Sequence, residues 1–444
     1  MNAPRRAALA TIGCRVNQYE TQLIREELEL AGYEIVPFSC LADIYVVNTC
    51  TVTHQADKKS VALIRRALRN SPDSQVFATG CLVELDGTER ARICRGLFSG
   101  HHSSDWAHRV RFVPNCRKFT LDSLVPANVV GEVVGIHDFS GHDRAFVKVE
   151  DGCDQYCSYC RIPYVRGDRI RSKKPESVVS EVQDLITAGY REVVLTGVNL
   201  ALYGKDLDGE ISLTDLIDDL LAKVKGEGFR MRLGSLEPHL LPNRLLELIA
   251  SSSIMCPHLH LSFQNGSDAI LHLMRRPYSA RFVRELVDQF RATSPMGGVT
   301  GDVIVGFPGE SQQDFQANLD FIRDVGFHRL HVFRFSSRVG TVAASMTGQL
   351  PERVKYERAR QLRLLAQEVS GVLLRRFVGK VLPVLIESQS DRATGLPAGY
   401  AHNYARVIVS PVASPRSHSR IATGQICRVR VIREQDGYLV GVED

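Results

Sequence analysis

EDGCDQYCSYCRIPYVRGDR, residues 150–169, places Cys153, Cys157 and Cys160 in a C-x3-C-x2-C spacing, with Tyr159 just before the third cysteine. A zinc site wants four ligands, usually from two separated pairs. No second pair and no His-x3–5-His adjoins this loop; Cys256, His258 and His260 are of the right type but belong to another strand pattern. A thioredoxin-like redox pair needs only C-x2-C and leaves Cys153 unexplained. A 4Fe–4S cluster held by three thiolates accounts for the number, because its fourth iron can take a small chelating ligand.

Upstream, three apolar runs each stop at a cysteine. AALATIG (7–13) ends at Cys14, DIYVVNT (43–49) at Cys50 and QVFATG (75–80) at Cys81. Short runs of this kind fill a parallel sheet. Helical patterns lie between them: YETQLIREELELAGY (19–33), with Gly32 as a stop, and ADKKSVALIRRALRN (56–70). The alternation predicts a doubly wound α/β domain over residues 1–120. Ligands in open α/β sheets sit at the carboxyl edge of the strands. The three thiols are therefore expected to converge, the alternative being three ordinary buried cysteines.

Residues 121–140 read as a connector containing Pro and Gly. A second α/β block then carries six strand patterns: AFVKVEDG, REVVLTGVN, RMRLGSLEP, HLHLSFQNGS, GDVIVGFPGE and RLHVFRFSS. Helical stretches such as SVVSEVQDLITAG separate them. Six units predict a partial (β/α)6 barrel over residues 139–370, with its site at the strand C-termini. PERVKYERARQLRLLAQEVSG (351–371) reads as one charged helix. Residues 372–444 switch to short β runs between Gly- and Ser-rich turns, which predicts a small all-β barrel. This segment carries ten Lys/Arg against six Asp/Glu, most of the chain's net charge of +5. A basic small barrel fits a nucleic-acid module, the alternative being a solvated charged surface. Arg406, Arg428 and Arg430 there, and Arg166, Arg169 and Arg171 after the cysteine loop, are candidate contacts to a polyanion.

With 444 residues, 44% hydrophobic and 24% charged, the composition is that of globular protein. No run of about 18 apolar residues predicts a membrane helix. The apolar segment after Arg5 and Arg6 is too short for a secretion signal. A cytoplasmic, reducing location is expected, where patterned cysteines point to metal or catalysis rather than disulfides. No G-x-G-x-x-G, G-x4-G-K-[ST] or H-E-x-x-H occurs, so nothing supports nucleotide hydrolysis or zinc proteolysis.

The C-x3-C-x-aromatic-C loop after the first barrel strand resembles the radical S-adenosylmethionine (SAM) superfamily. In that family the open iron is chelated by SAM, and one electron yields a 5′-deoxyadenosyl radical; Tyr159 matches the aromatic placed near the adenine. TIGCRVNQYE, VVNTCTVT and TGCLVE upstream, GCDQYCSYCRIPYVRG, REVVLTGVN, HLHLSFQNGSDAILHLMRR and DVIVGFPGE downstream, and the terminal barrel together resemble the methylthiotransferases, over about residues 7–442. The resemblance implies that Cys14, Cys50 and Cys81 hold a second 4Fe–4S cluster, which delivers methylated sulfur, and that SAM is used twice. It implies Gly197 and Asn199 beside the methionine end of SAM. Glu237 and Gln264 would hydrogen-bond SAM or substrate, and Val305 and Gly306 would cover the adenine. It further implies a TRAM-like terminal barrel, a tRNA partner, an electron donor such as a flavodoxin or ferredoxin, and a monomer. The cofactors, not acid–base side chains, would carry the hard step.

RSKKPESVVSEVQDLITAGYREVVLTGVNLALYG, PHLHLSFQNGSDAILHLMRR and LHVF are more similar to members acting on N6-threonylcarbamoyladenosine in tRNA than to those acting on the isopentenyl derivative. The expected product is 2-methylthio-N6-threonylcarbamoyladenosine beside the anticodon. The alternatives are methylthiolation of isopentenyl-modified adenosine, methylthiolation of a ribosomal protein aspartate, and a non-enzymatic zinc-stabilised RNA-binding protein. Arg15 stands where members more often carry Lys.

Overall fold

The computed structural model describes residues 4–97, 103–120, 135–410 and 422–444. Most of the 121–140 connector, and Arg416 and Arg420 of the basic terminal segment, lie outside the described residues. Among the described residues, no helix is long and apolar enough to cross a membrane.

The N-terminal sheet has five parallel strands in the order 34–35, 6–11, 44–49, 75–80, 110–112. Ile44–Thr49 is buried at every position, as a central parallel strand should be. The strand order reverses between Arg6–Thr11 and Ile44–Thr49. Ligands of doubly wound sheets bind at such a switch point, outside the strand carboxyl ends. Cys14 and Cys50 follow the two strands that flank it.

The central domain has six parallel strand segments in chain order around an open barrel. Ala145–Lys148, Glu192–Thr196 and Arg230–Leu233 form one sheet. Ser235–Leu236, His258–Gln264, Gly298–Val305 and Arg329–Arg334 form the other. The third segment breaks at Gly234, whose N–H bonds back to Leu195 O at 2.8 Å. Leu195, Leu233, Leu261, Val303 and their neighbours make one continuous core. The helix Glu352–Leu374 packs outside the last strand.

The terminal segment is a closed five-stranded barrel, Val381–Ile386, Ala398–Ala401, Arg406–Val409, Tyr438–Glu443 and Ile426–Gln435. The strand Ala398–Ala401 is one that sequence reading did not find. This barrel is fastened to the N-terminal ends of the central strands. Arg230 donates to Pro383 O at 3.0 Å and Tyr400 O at 2.8 Å, and Arg232 donates to His402 O at 2.9 Å. Glu192, wholly buried, pairs with both arginines. Tyr404 stacks on His258 with ring centroids 4.8 Å apart, and its hydroxyl accepts from Arg15 Nη2 at 3.3 Å. One tyrosine thus joins all three parts of the chain.

Candidate active site

The chain leaves the first central strand at Gly152. Its φ is +96°, and a Cβ there would collide with the Arg169 carbonyl, so only glycine lets the loop fold back. Cys153 N–H donates to Gly167 O at 3.1 Å and closes the loop on itself. Ser158 N–H reaches Met274 O at 3.1 Å, and Ala343 N–H reaches Ser158 O at 2.7 Å. Held at these points, Cys153, Cys157 and Cys160 line one cavity of about 150 Å3 with Tyr159, Asn199, Glu237, Gln264 and Arg276.

Four residues expected around the cofactor, Tyr159, Asn199, Glu237 and Gln264, are therefore brought together. Arg276 holds two of them: Nη2 donates to Tyr159 Oη at 2.7 Å, and Nη1 bonds Glu237. Sequence reading missed Arg276, because nothing in LMRRPY separates it from its neighbour Arg275. Gln264 has φ +67° where the pairing register of its strand slips. Backbone strain of this kind collects at ligand sites. Asn199 Oδ1 is buried with no hydrogen-bond partner, and Glu237 Oε1 has only the long 3.5 Å approach of His239 Nδ1. Each unpaired acceptor costs about 1–3 kcal/mol, so both fit a ligand that brings N–H donors, as SAM does.

Three glycine and valine expectations come out differently. A Cβ on Gly197 would lie 2.5 Å from Glu150 Oε2. The Glu150 carboxyl, pushed up to about 8 by burial, fills that face and accepts from Asn199 N–H at 2.8 Å. Val305 is in the core, and Gly306 packs against Lys355 of the long helix, with its N–H on Glu310. Neither lines the cavity of the loop trio.

The upstream thiols converge as the strand ends required. Cys14 is the N-cap of helix Arg15–Leu30, and Cys50 and Cys81 are the first residues after Thr49 and Gly80. A Cβ on Gly13 would lie 3.3 Å from Cys50 Sγ, so the Cys14 turn rests directly on Cys50. Burial, then Cys81 and Cys14, push the Cys50 thiol up to about 12. In the other trio burial pushes Cys160 up to about 12 and Cys153 up to about 11. Bare thiols at these positions keep their protons at neutral pH, and a bound metal must displace them.

Among the described residues, three ligand atoms of His, Cys, Asp or Glu lie within 4.8 Å of one another only at His260, Asp302 and His331. Three thiols in each trio leave a fourth position open, which suits a 4Fe–4S cluster with one free iron better than a four-ligand zinc site.

Arg166 was expected at an RNA surface, and the structure corrects this. Its guanidinium is buried, donating to Glu20 at 2.9 and 3.0 Å, to Asn17 Oδ1 at 2.5 Å and to Asp151 at 3.3 Å. Lys118 at 2.6 Å and Lys148 at 3.0 Å converge on the same Glu20. Three cations thus meet two carboxylates, and Arg166 opposes the burial that raises the Cys81 thiol. The residue joins the cysteine loop to the helix that starts after Cys14. Arg169 and Arg171 stay exposed. So do Arg406, Arg428 and Arg430, which pair with Asp391 at 2.7 Å, Asp444 at 3.5 Å and Asp444 respectively. Arg406 also lines a cavity of about 300 Å3 between the long helix and the small barrel, with Arg329, Arg363 and Tyr400.

A further cavity, of about 240 Å3, shares Tyr159, Cys160, Ile162 and Gln264 with the first and extends to Val52 and Thr53, just past Cys50. It thus joins Cys160 of the loop trio to the chain that follows Cys50.

Residues 147–322 match the Radical SAM superfamily, and residues 6–95 match a family described as Uncharacterized protein family UPF0004. The threonylcarbamoyladenosine tRNA methylthiotransferase MtaB of Bacillus subtilis (strain 168) is 34% identical over 433 residues, covering 96% of this chain and 93% of the relative. The tRNA-2-methylthio-N(6)-dimethylallyladenosine synthase of Carboxydothermus hydrogenoformans is 33% identical over 390 residues, 86% and 88% of the two chains. The radical SAM methyltransferase TsrM of Kitasatospora setae, solved with cobalamin and a 4Fe–4S cluster, shares the fold at a TM-score of 0.52 and 13% identity, over 77% of each chain. The α/β layout with its closed terminal barrel, the converging thiols and these near full-length likenesses agree: the chain belongs to the radical SAM methylthiotransferases, in the MtaB subgroup, enzymes that transfer a sulfur-containing group.

Proposed function

We propose that this enzyme adds a methylthio group to carbon 2 of N6-threonylcarbamoyladenosine next to the tRNA anticodon, giving 2-methylthio-N6-threonylcarbamoyladenosine. The observation that carries the reading is one cavity lined both by Cys160 and by Val52 and Thr53, the residues after Cys50. Cys153, Cys157 and Cys160 would hold the SAM-binding cluster, and Cys14, Cys50 and Cys81 the second one. When bound, the clusters and SAM would between them relay the electron and supply the radical, the methyl group and the sulfur; the chain binds, orients and shields. Arg276 fixes the orientation of Tyr159 and Glu237. Asn199 and Glu237 offer unpaired acceptors to the cofactor. Ile162, Ile304 and Phe333 give the cavity an apolar wall that excludes water from a reactive intermediate. Arg169, Arg171, Arg406, Arg428 and Arg430 contact the RNA backbone. A flavodoxin- or ferredoxin-type protein delivers the electron, and the enzyme works as a cytoplasmic monomer.

Mass spectrometry of tRNA nucleosides from a strain lacking the protein tests the reading. The expected result is loss of the methylthio group from the threonylcarbamoyl nucleoside alone. Loss confined to the isopentenyl nucleoside would overturn the substrate.

A further inference from the structure

The cavity lined by Cys160, Val52 and Thr53 has a polar side that its apolar wall does not explain. Asp302 and Arg334 line it. Asp302 is held in place: His331 Nδ1 at 3.0 Å and His260 Nε2 at 3.3 Å both engage its Oδ1. His260 is itself fixed from behind, its Nδ1 lying 2.8 Å from Thr300 Oγ1. Three polar groups on three neighbouring strands, His260, Thr300 and His331, thus hold one carboxylate in the cavity wall.

Arg334 has the opposite character. Its closest carboxylate is Glu352 at 3.7 Å, itself 73% exposed. A pair so long and so wet contributes little, and Arg334 keeps donors for a stronger acceptor. A guanidinium with spare N–H groups recognises a carboxylate in a planar, two-point manner.

The geometry of adenine says what would meet these groups. C2 and C6, the carbon that bears N6, flank N1. A base whose C2 faces the thiol-lined end therefore directs its N6 substituent along a diverging line, towards another part of the wall. We propose that Arg334 and Asp302 read the threonylcarbamoyl group: Arg334 pairs with its carboxylate, and Asp302 accepts from its hydroxyl. This rests on the substrate proposed above. An isopentenyl group offers neither an anion nor a donor. It would form neither bond while taking water from both groups, and a site built to bond a substrate group disfavours the analogue that lacks it.

The test uses the full-length enzyme with both clusters loaded and two anticodon stem-loop RNAs. One carries N6-threonylcarbamoyladenosine; the other carries the same nucleoside with its carboxylate converted to the primary amide. In the wild type, kcat/KM for the acid exceeds that for the amide by roughly 10- to 100-fold, the worth of one charge-assisted bond. In Arg334→Leu the ratio falls to near unity, and in Arg334→Lys most of it is kept. The ratio cancels any loss of active protein, because both RNAs meet the same preparation. If a variant turns over too slowly, the ratio of the two RNA dissociation constants is read instead. Asp302→Ala, compared with an analogue lacking the threonine hydroxyl, gives the same collapse for that group. A wild type indifferent to the carboxylate, or an unchanged ratio in Arg334→Leu, overturns the proposal. A wild type that modifies the isopentenyl RNA and neither of these two overturns the substrate reading instead.

Discussion

Cys153, Cys157 and Cys160 come from eight consecutive positions, whereas Cys14, Cys50 and Cys81 come from three strand ends separated by whole strand–helix units. The first trio is shaped by local backbone: a glycine with positive φ and one hydrogen bond across the loop. The second exists only if parallel strands pair in the right order around a switch point. A metal site can therefore be written into a loop or into a topology, and the two fail differently. The loop depends on its own turn and on its anchors at Met274 and Ala343; the strand-end trio depends on the whole sheet. Arg166 is where they meet, leaving the cysteine loop and ending on Asn17 and Glu20 of the helix after Cys14.

The largest separation between the trios is expected from their own ligands. Cys157→Ala should abolish both SAM cleavage and methylthio product, read as 5′-deoxyadenosine and modified nucleoside. Cys50→Ala should still cleave SAM yet form no product. Each variant should carry about half of the roughly eight irons of the wild type, two clusters of four. Normal product from Cys50→Ala would erase the division of labour.

A smaller effect tests the joint. Glu20→Gln leaves Lys118, Lys148 and Arg166 facing only Asp151. Unbalancing a buried ion network of this kind costs about 3–5 kcal/mol, read as a fall in the melting transition. Against the burial that would raise it, Lys148, Lys118 and Arg166 hold Glu20 well below its ordinary value of 4.5. A depressed carboxylate gives its stability in full above that value and loses it as pH falls through the lower folded value. The share contributed by Glu20 should thus be constant from about pH 5 upward and fall only in stronger acid. Glu20→Gln should show a smaller acid step, the remainder coming from Asp151, which, against the burial that would raise it, Lys148 and Arg166 hold down to about 2; an identical acid step in the variant would exclude Glu20 as a source.

The smallest effect lies farthest from both trios. Arg428→Ala or Arg430→Ala should weaken tRNA binding mildly, and lower the slope of log affinity against log salt by about one for each phosphate that is no longer neutralised. An unchanged slope would remove these residues from the RNA interface.

The loop trio was legible in the sequence because ligand spacing is a local property. The strand-end trio was legible because short apolar runs stop at cysteines, and parallel sheets put ligands there. What stayed hidden depends on partners far along the chain. Arg166 looks like part of a basic run until Glu20, 146 positions away, is found beneath it. Gly306 looks free until the long helix brings Lys355 against it. The strand Ala398–Ala401, sequence AGYA, has no β-branched residue. It becomes a strand only through pairing with Val384–Ile386 and Arg406–Ile408 on its two sides.

The fastening of the small barrel changes what its removal would mean. Residues 398–405 close the lower mouth of the central barrel, where Glu192, Arg230 and Arg232 would otherwise open to water and Tyr404 would no longer reach Arg15, the residue next to Cys14. A chain cut after the long helix would lose its floor as well as the barrel proposed to hold RNA, so loss of activity on truncation would not by itself measure how much the small barrel contributes to binding tRNA.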